Sequence, residues 1–145
     1  MTTQVNHIET KTKRNFLTTI LRADGVFALV SAAVTILAAG PVAELIELET
    51  PVALVILGFV LLGYGAVLFY FSDKTPINRR VAQVAIVLNM LWVVDSYAGL
   101  LFGFFPVNTA GKWAIALIAE AVFVFGLLQI VALRRLSKDS WSENK

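Results

Sequence analysis

The sequence predicts an all-α fold: a four-helix transmembrane bundle, up-down-up-down, with both termini in the cytoplasm. Three observations predict it. The first is composition, since 58% of the 145 residues are hydrophobic and only 15% are charged. A soluble domain carries about 45–50% apolar and about 25% charged residues, so a protein core alone does not account for this apolar surface. The second is that the apolar residues fall into four runs of 21 to 25 residues, and a helix needs about 20 to span a bilayer. The third is that eleven of the 12 Lys and Arg residues lie on one side of those runs.

The first run, Phe16–Ala39, follows a polar leader containing Lys11, Lys13 and Arg14. That leader is like the positive region of a signal peptide, and Ser31-Ala32-Ala33 is like a small-residue cleavage site. The run continues beyond that site, however, and Arg22 and Asp24 interrupt its apolar part. A retained helix is therefore expected. The next segment, Pro41–Glu49, reads as a short helix or turn lying on the outer surface. Val42, Leu45, Ile46 and Glu49 share one approximate face, while Glu44 and Glu47 point elsewhere. The alternative reading is an acidic vestibule that concentrates cations.

The second run, Pro51–Phe71, begins with a hydroxyl cap at Thr50 and a proline at the first helical position, which needs no N–H donor. Thr75-Pro76 repeats this arrangement before the third run, Val81–Phe105, and places Arg79 and Arg80 on its first turns. Asn108 or Thr109 is the cap expected for the fourth run, Trp113–Leu133. Residues 1–15 and 134–145 are then polar cytoplasmic tails of a single integral membrane domain.

Counting residues excludes several chemistries. There is no cysteine, which removes disulfides, thiol relays and iron–sulfur ligation. The one histidine, His7, lies in the leader, so a bis-histidine haem or a histidine-rich zinc site within one chain is excluded. No catalytic group, cofactor or metal site is expected, and a role other than an enzyme is favoured. Net charge is +2 and the pI about 9.1, but the distribution of that charge is explained by topology rather than by nucleic acid. The uneven distribution also argues against small four-helix multidrug transporters that insert in both orientations. No run holds a lysine at its centre, which excludes a retinal Schiff base.

The informative residues are polar ones within the runs: Arg22, Asp24, Asn89, Asp95, Glu120 and Gln129. A charge at a helix centre costs about 2.5–3.5 kcal/mol on insertion scales, so such groups face the interior and find partners. A rise of about 1.5 Å per residue puts Asp95 and Glu120 at a shared depth in the outer half. Two carboxylates in low dielectric repel, which makes them a candidate proton- or cation-linked pair; the alternative is a hydrogen-bonded pair that holds helices together. By the same arithmetic Arg22, Asp24, Asn89 and Gln129 lie in the cytoplasmic half. Arg22 is expected to snorkel to the interface, or to anchor an anionic lipid or quinone headgroup, while Asp24 turns toward Asn89 or Gln129.

Two weaker features complete the reading. Gly99 and Gly103 form a GxxxG that permits close backbone approach, either for internal packing or for dimerisation. Tyr70, Phe71, Tyr97, Phe104, Phe105 and Trp113 form an aromatic belt near helix ends, and Trp92 near a helix centre reads as packing.

Leu21-Arg22-Ala23-Asp24-Gly25, the ending Ala39-Gly40-Pro41 and the string Leu88-Asn89-Met90-Leu91-Trp92-Val93-Val94 resemble small bacterial four-helix membrane proteins of unknown function. In size and helix count the chain is also similar to DoxX-like proteins, whose motifs it does not share. The resemblance implies a fold and no activity.

The expected role is a small integral protein of the cell (inner) membrane that serves as a subunit or assembly factor of a membrane complex. The alternative is a carrier for a proton, cation or lipophilic ligand, and an intramembrane enzyme ranks third. The lipid bilayer, together with a membrane-protein partner or a second copy of the chain, supplies the surroundings. The topology is directly testable. A reporter fused after Lys145 is expected to read out in the cytoplasm, and one inserted beside Glu47 on the outside. A periplasmic signal from the C-terminal fusion would overturn the four-span arrangement.

Overall fold

A computed structural model describes the backbone of residues 2–72, 74 and 79–142 and the side chains of residues 16–72, 74 and 79–136. The described residues form five α-helices and no strand: α1 (Thr2–Leu37), α2 (Ala39–Leu45), α3 (Val52–Ser72), α4 (Arg79–Phe102) and α5 (Thr109–Ser142). Four of them contain stretches long and apolar enough to cross a membrane: Phe16–Leu37, Val52–Ser72, Arg79–Phe102 and Thr109–Leu136.

The helix ends follow local chemistry. Thr50 Oγ1 accepts from the Val52 backbone N–H at 3.3 Å, and α3 starts directly after Pro51. Asn108 is the cap of α5, with its Oδ1 accepting from the Gly111 N–H at 3.0 Å. It thereby starts α5 four residues earlier than the apolar run does. The Thr75-Pro76 boundary and the side chains of the leader, including His7, lie outside the described residues.

The outer helices run on beyond the apolar runs: α1 is helical from Thr2 and α5 continues to Ser142. The reason is that Gln, Glu, Lys and Arg are good helix formers and no proline or glycine interrupts either stretch. The helix α4 stops at Phe102 rather than at Phe105, because Gly103 adopts a left-handed φ of 70° that ends the helix. The Phe104 N–H then bonds back to Gly99 O at 2.9 Å, and the Phe105 ring covers Gly99. The GxxxG is thus a helix terminus, with one glycine outside the helix and the other beneath a ring.

The segment between α1 and α3 forms the short helix α2, which ends at Leu45, and two residues on Glu47 adopts a left-handed φ of 57°. Asn108 ties this end to α5: its Nδ2 donates to Leu45 O at 3.0 Å and its backbone N–H to Ile46 O at 3.0 Å.

Packing is strongest between α1 and α3 and between α4 and α5, and α1 also lies along α5. By contrast, α3 and α4 approach each other at only a few positions. Leu17, Ile20 and Leu21 of α1 meet Leu68 of α3, Ala82 and Ala85 of α4 and Ala132 of α5 in one buried cluster. The start of the apolar stretch of α1 and the start of α4 therefore lie beside the last turns of α3 and of the apolar stretch of α5. Most large apolar side chains elsewhere point outward, among them Val30, Ile56, Phe59, Val94 and Leu117.

Glycine sets the closeness of α1 and α3. A Cβ on Gly65 would stand 2.8 Å from Leu29 Cγ and 2.9 Å from Gly25 O. A Cβ on Gly25 would in turn stand 3.3 Å from Gly65 O. The two backbones touch at this crossing with no side chain between them. Gly65→Ala is therefore expected to destabilise the fold by about 1–3 kcal/mol through overpacking. Gly63→Ala is the control, since nothing lies within 4 Å of a Cβ there. It is expected to be neutral or stabilising by up to about 1 kcal/mol from helix propensity. Reversible unfolding of both variants in mixed micelles measures the difference.

Candidate functional site

The α1–α3 crossing positions two polar residues. Asp24 directly precedes Gly25, and Tyr64 directly precedes Gly65. With the backbones in contact, the Tyr64 hydroxyl reaches Asp24 Oδ2 at 2.9 Å. A second close approach brings in the other helices. Gly126 of α5 receives Met90 and the Cβ of Asn89, the latter 3.6 Å from where a Cβ on Gly126 would stand. Gln129 lies one turn further along α5 and is fully buried.

The outcome is one buried network with a member from each of the four long helices. Asp24 Oδ2 accepts from Tyr64 Oη of α3 at 2.9 Å, from Asn89 Nδ2 of α4 at 2.9 Å and from Gln129 Nε2 of α5 at 2.7 Å. Asn89 Nδ2 also lies 3.4 Å from Gln129 Oε1, and Tyr64 Oη lies 2.9 Å from Asn89 Oδ1. Asp24 is 2% exposed and Asn89 4% exposed, while Tyr64 is half-buried, so the hydrogen bonds are made inside protein rather than to solvent. A buried carboxyl without such donors would be costly, and three convergent donors are an effective substitute for water.

Of the six polar residues singled out in the sequence, the structure joins Asp24, Asn89 and Gln129. The network does not include Arg22, Asp95 or Glu120, all of which are exposed. Glu120 Oε1 accepts from the Tyr97 hydroxyl, which links α4 to α5 on the outside of the helices. Tyr64 is the member that reasoning from charge and amide content missed. The available signal was its place midway along a run, flanked by Gly63 and Gly65 and far from any aromatic belt.

Trp92 lies one turn beyond Asn89 on α4, and its indole Nε1 is buried without a hydrogen-bond partner. No group of three or more His, Asp or Glu side chains among the described residues is placed to hold a metal ion. Comparison with known proteins finds no matching family model, no matching curated protein and no matching solved structure.

The network makes a graded prediction about stability. Asp24→Leu removes the common acceptor and strands three donors, whereas Gln129→Leu removes one donor to Asp24 and the longer contact from Asn89. Interhelical hydrogen bonds in membranes average about 0.6 kcal/mol, so the expected losses are about 2 kcal/mol and about 1 kcal/mol. Unfolding titrations of the two variants in micelles read these values. Equal losses would mean that the donors are not acting through Asp24.

Proposed function

We propose that the chain is a multi-pass protein of the cell (inner) membrane, a four-helix bundle with both termini in the cytoplasm. In this reading it has no catalytic machinery and serves as a subunit or assembly factor of a membrane complex. The supporting observation is the exposure of Asp95 and Glu120 on α4 and α5. Both lie within roughly 4–7 Å of the middle of their spans along the helix axis. At that depth lipid offers no hydrogen-bond donor, and ionised carboxyls facing it are expensive. A protein surface with donor or basic side chains removes the mismatch, whether it belongs to a partner or to a second copy of the chain. The apolar residues around them, Leu91 and Val94 on α4 and Leu117 and Val124 on α5, are exposed as well, so the surface available for helix packing is continuous along each helix.

A second reading, a carrier for a proton, a cation or a lipophilic ligand, is supported by the Asp24 network. It places a carboxyl, a phenol and two amides from four helices at one level inside the protein.

Association is the property to test first. The double variant Asp95→Leu/Glu120→Leu turns the two polar positions apolar and suits them to lipid. Its folded yield is expected to match or exceed that of the parent. The fraction recovered with partner or in oligomeric form, read by native mass spectrometry from lipid nanodiscs, is expected to fall about tenfold, equivalent to about 1.4 kcal/mol. A parent chain that is monomeric and partner-free in nanodiscs, or a double variant that associates as well as the parent, would overturn the association reading.

A further inference from the structure

The hydrogens of the Asp24 network do not add up when Asp24 is ionised. Tyr64 Oη lies 2.9 Å from Asp24 Oδ2 and 2.9 Å from Asn89 Oδ1. A phenol carries one hydrogen, and neither a carboxylate nor an amide oxygen supplies another. One of these two contacts is then oxygen against oxygen with nothing between. Turning the Asn89 amide over does not help, although its orientation is a matter of assignment. Nδ2 would then serve Tyr64, and the amide oxygen would take its place 2.9 Å from Asp24 Oδ2. In either orientation the triangle of Asp24, Tyr64 and Asn89 has three short sides and two hydrogens for them.

One more proton closes the triangle. Placed on Asp24 Oδ2, it is donated to Tyr64 Oη. Tyr64 then donates its own hydrogen to Asn89 Oδ1. Asn89 Nδ2 and Gln129 Nε2 donate to Asp24 as before. The groups facing Asp24 from the packed helices are Tyr64 on α3, Asn89 on α4 and Gln129 on α5, and of these only Tyr64 titrates. Arg22, the nearest charged residue along α1, is exposed.

We infer that the Asp24 network is a one-proton binding site and that its proton latches α3 to α4. With the Asn89 amide oriented as it stands, Nδ2 toward Asp24, the side that fails without the proton is Tyr64–Asn89, which joins these two helices where their packing is sparse. The helix α1 remains held to α3 by the glycine crossing, and α4 remains packed on α5, so loss of the proton loosens the α3–α4 seam in particular. This inference does not rest on the association reading, because every group involved lies within one chain.

The absence of cysteine allows site-specific spin labelling without background. Val60→Cys with Leu91→Cys reports the α3–α4 distance, and Leu91→Cys with Val124→Cys reports α4–α5; all three positions are exposed. The labelled full chain is reconstituted in lipid nanodiscs and diluted with unlabelled protein, so that only distances within one chain are read. Across the pH range over which the protein stays folded, the α3–α4 distance is expected to be longer at the alkaline end while the α4–α5 distance stays fixed. Asp24→Asn is expected to abolish the shift and to remove the infrared carbonyl band of a protonated carboxyl seen at acidic pH. Tyr64→Phe removes the latching hydroxyl and is expected to show the alkaline α3–α4 distance at both pH values. A parent chain with a pH-independent α3–α4 distance overturns the inference, as does a shift that survives in Asp24→Asn or an acidic spectrum without the Asp24 band. Should Asp24→Asn fail to fold, Tyr64→Phe decides alone, since a shift of parental size in that variant also overturns it.

Discussion

A carboxyl group on the inward face of α1 has to be surrounded by donors, because it is buried away from solvent. Asp24 is 2% exposed, and its Oδ2 receives a donor from each of the other three long helices. Each donor comes from a helix middle, so the carboxyl determines which face of α3, α4 and α5 turns inward. Rotating any one of these helices by a third of a turn withdraws its donor and leaves a polar group in an apolar place, at a cost of about 1–3 kcal/mol. The apolar surface of these helices is nearly uniform around the axis and cannot make that choice. Polar residues therefore supply rotational specificity that hydrophobicity does not.

The small residues are the means by which the network is reached. Aspartate and asparagine have short side chains, so their helices must come close. Gly25 against Gly65 lets α1 touch α3, and Gly126 accepts Met90 and the base of Asn89. Ala28, Ala32, Ala82, Ala85 and Ala119 continue the small, buried faces on either side. Close approach also maximises dispersion contact, which in lipid replaces the missing hydrophobic drive between helices.

The four long apolar helices were legible in the sequence, because run length and hydroxyl and proline caps are local signals. Thr50 and Asn108 lie at helix starts as their side-chain chemistry requires. Depth alone groups Asp24, Asn89 and Gln129 with Arg22 in the cytoplasmic half, and the structure joins the first three. What depth does not reveal is azimuth. Asp95 and Glu120 share a depth too, yet both are exposed, with Glu120 held by Tyr97. The direction in which a residue points depends on which faces carry glycine and alanine, and that requires knowing which helices are neighbours. Tyr64 was hidden for a related reason. A tyrosine in an apolar run reads as packing until its hydroxyl is known to face a carboxyl. The Gly99–Gly103 spacing misleads in the opposite sense, since a pattern that suits helix contact here falls across a helix end.

The inner and outer acids meet the same electrostatic problem with different resources. Asp24 is surrounded by the other three long helices, and each brings a hydrogen-bonding side chain to it. Asp95 and Glu120 have only their own helices and one neighbour, and the single phenol of Tyr97 serves only one of the two carboxyls directly. An interior site that is complete within one chain is suited to a small occupant such as a proton, which needs no entry cavity and only a path of hydrogen-bonding groups. An incomplete surface site is suited to a macromolecular neighbour, which brings its own donors. One rule applies to both layers, namely that a carboxyl removed from water must find hydrogen atoms elsewhere.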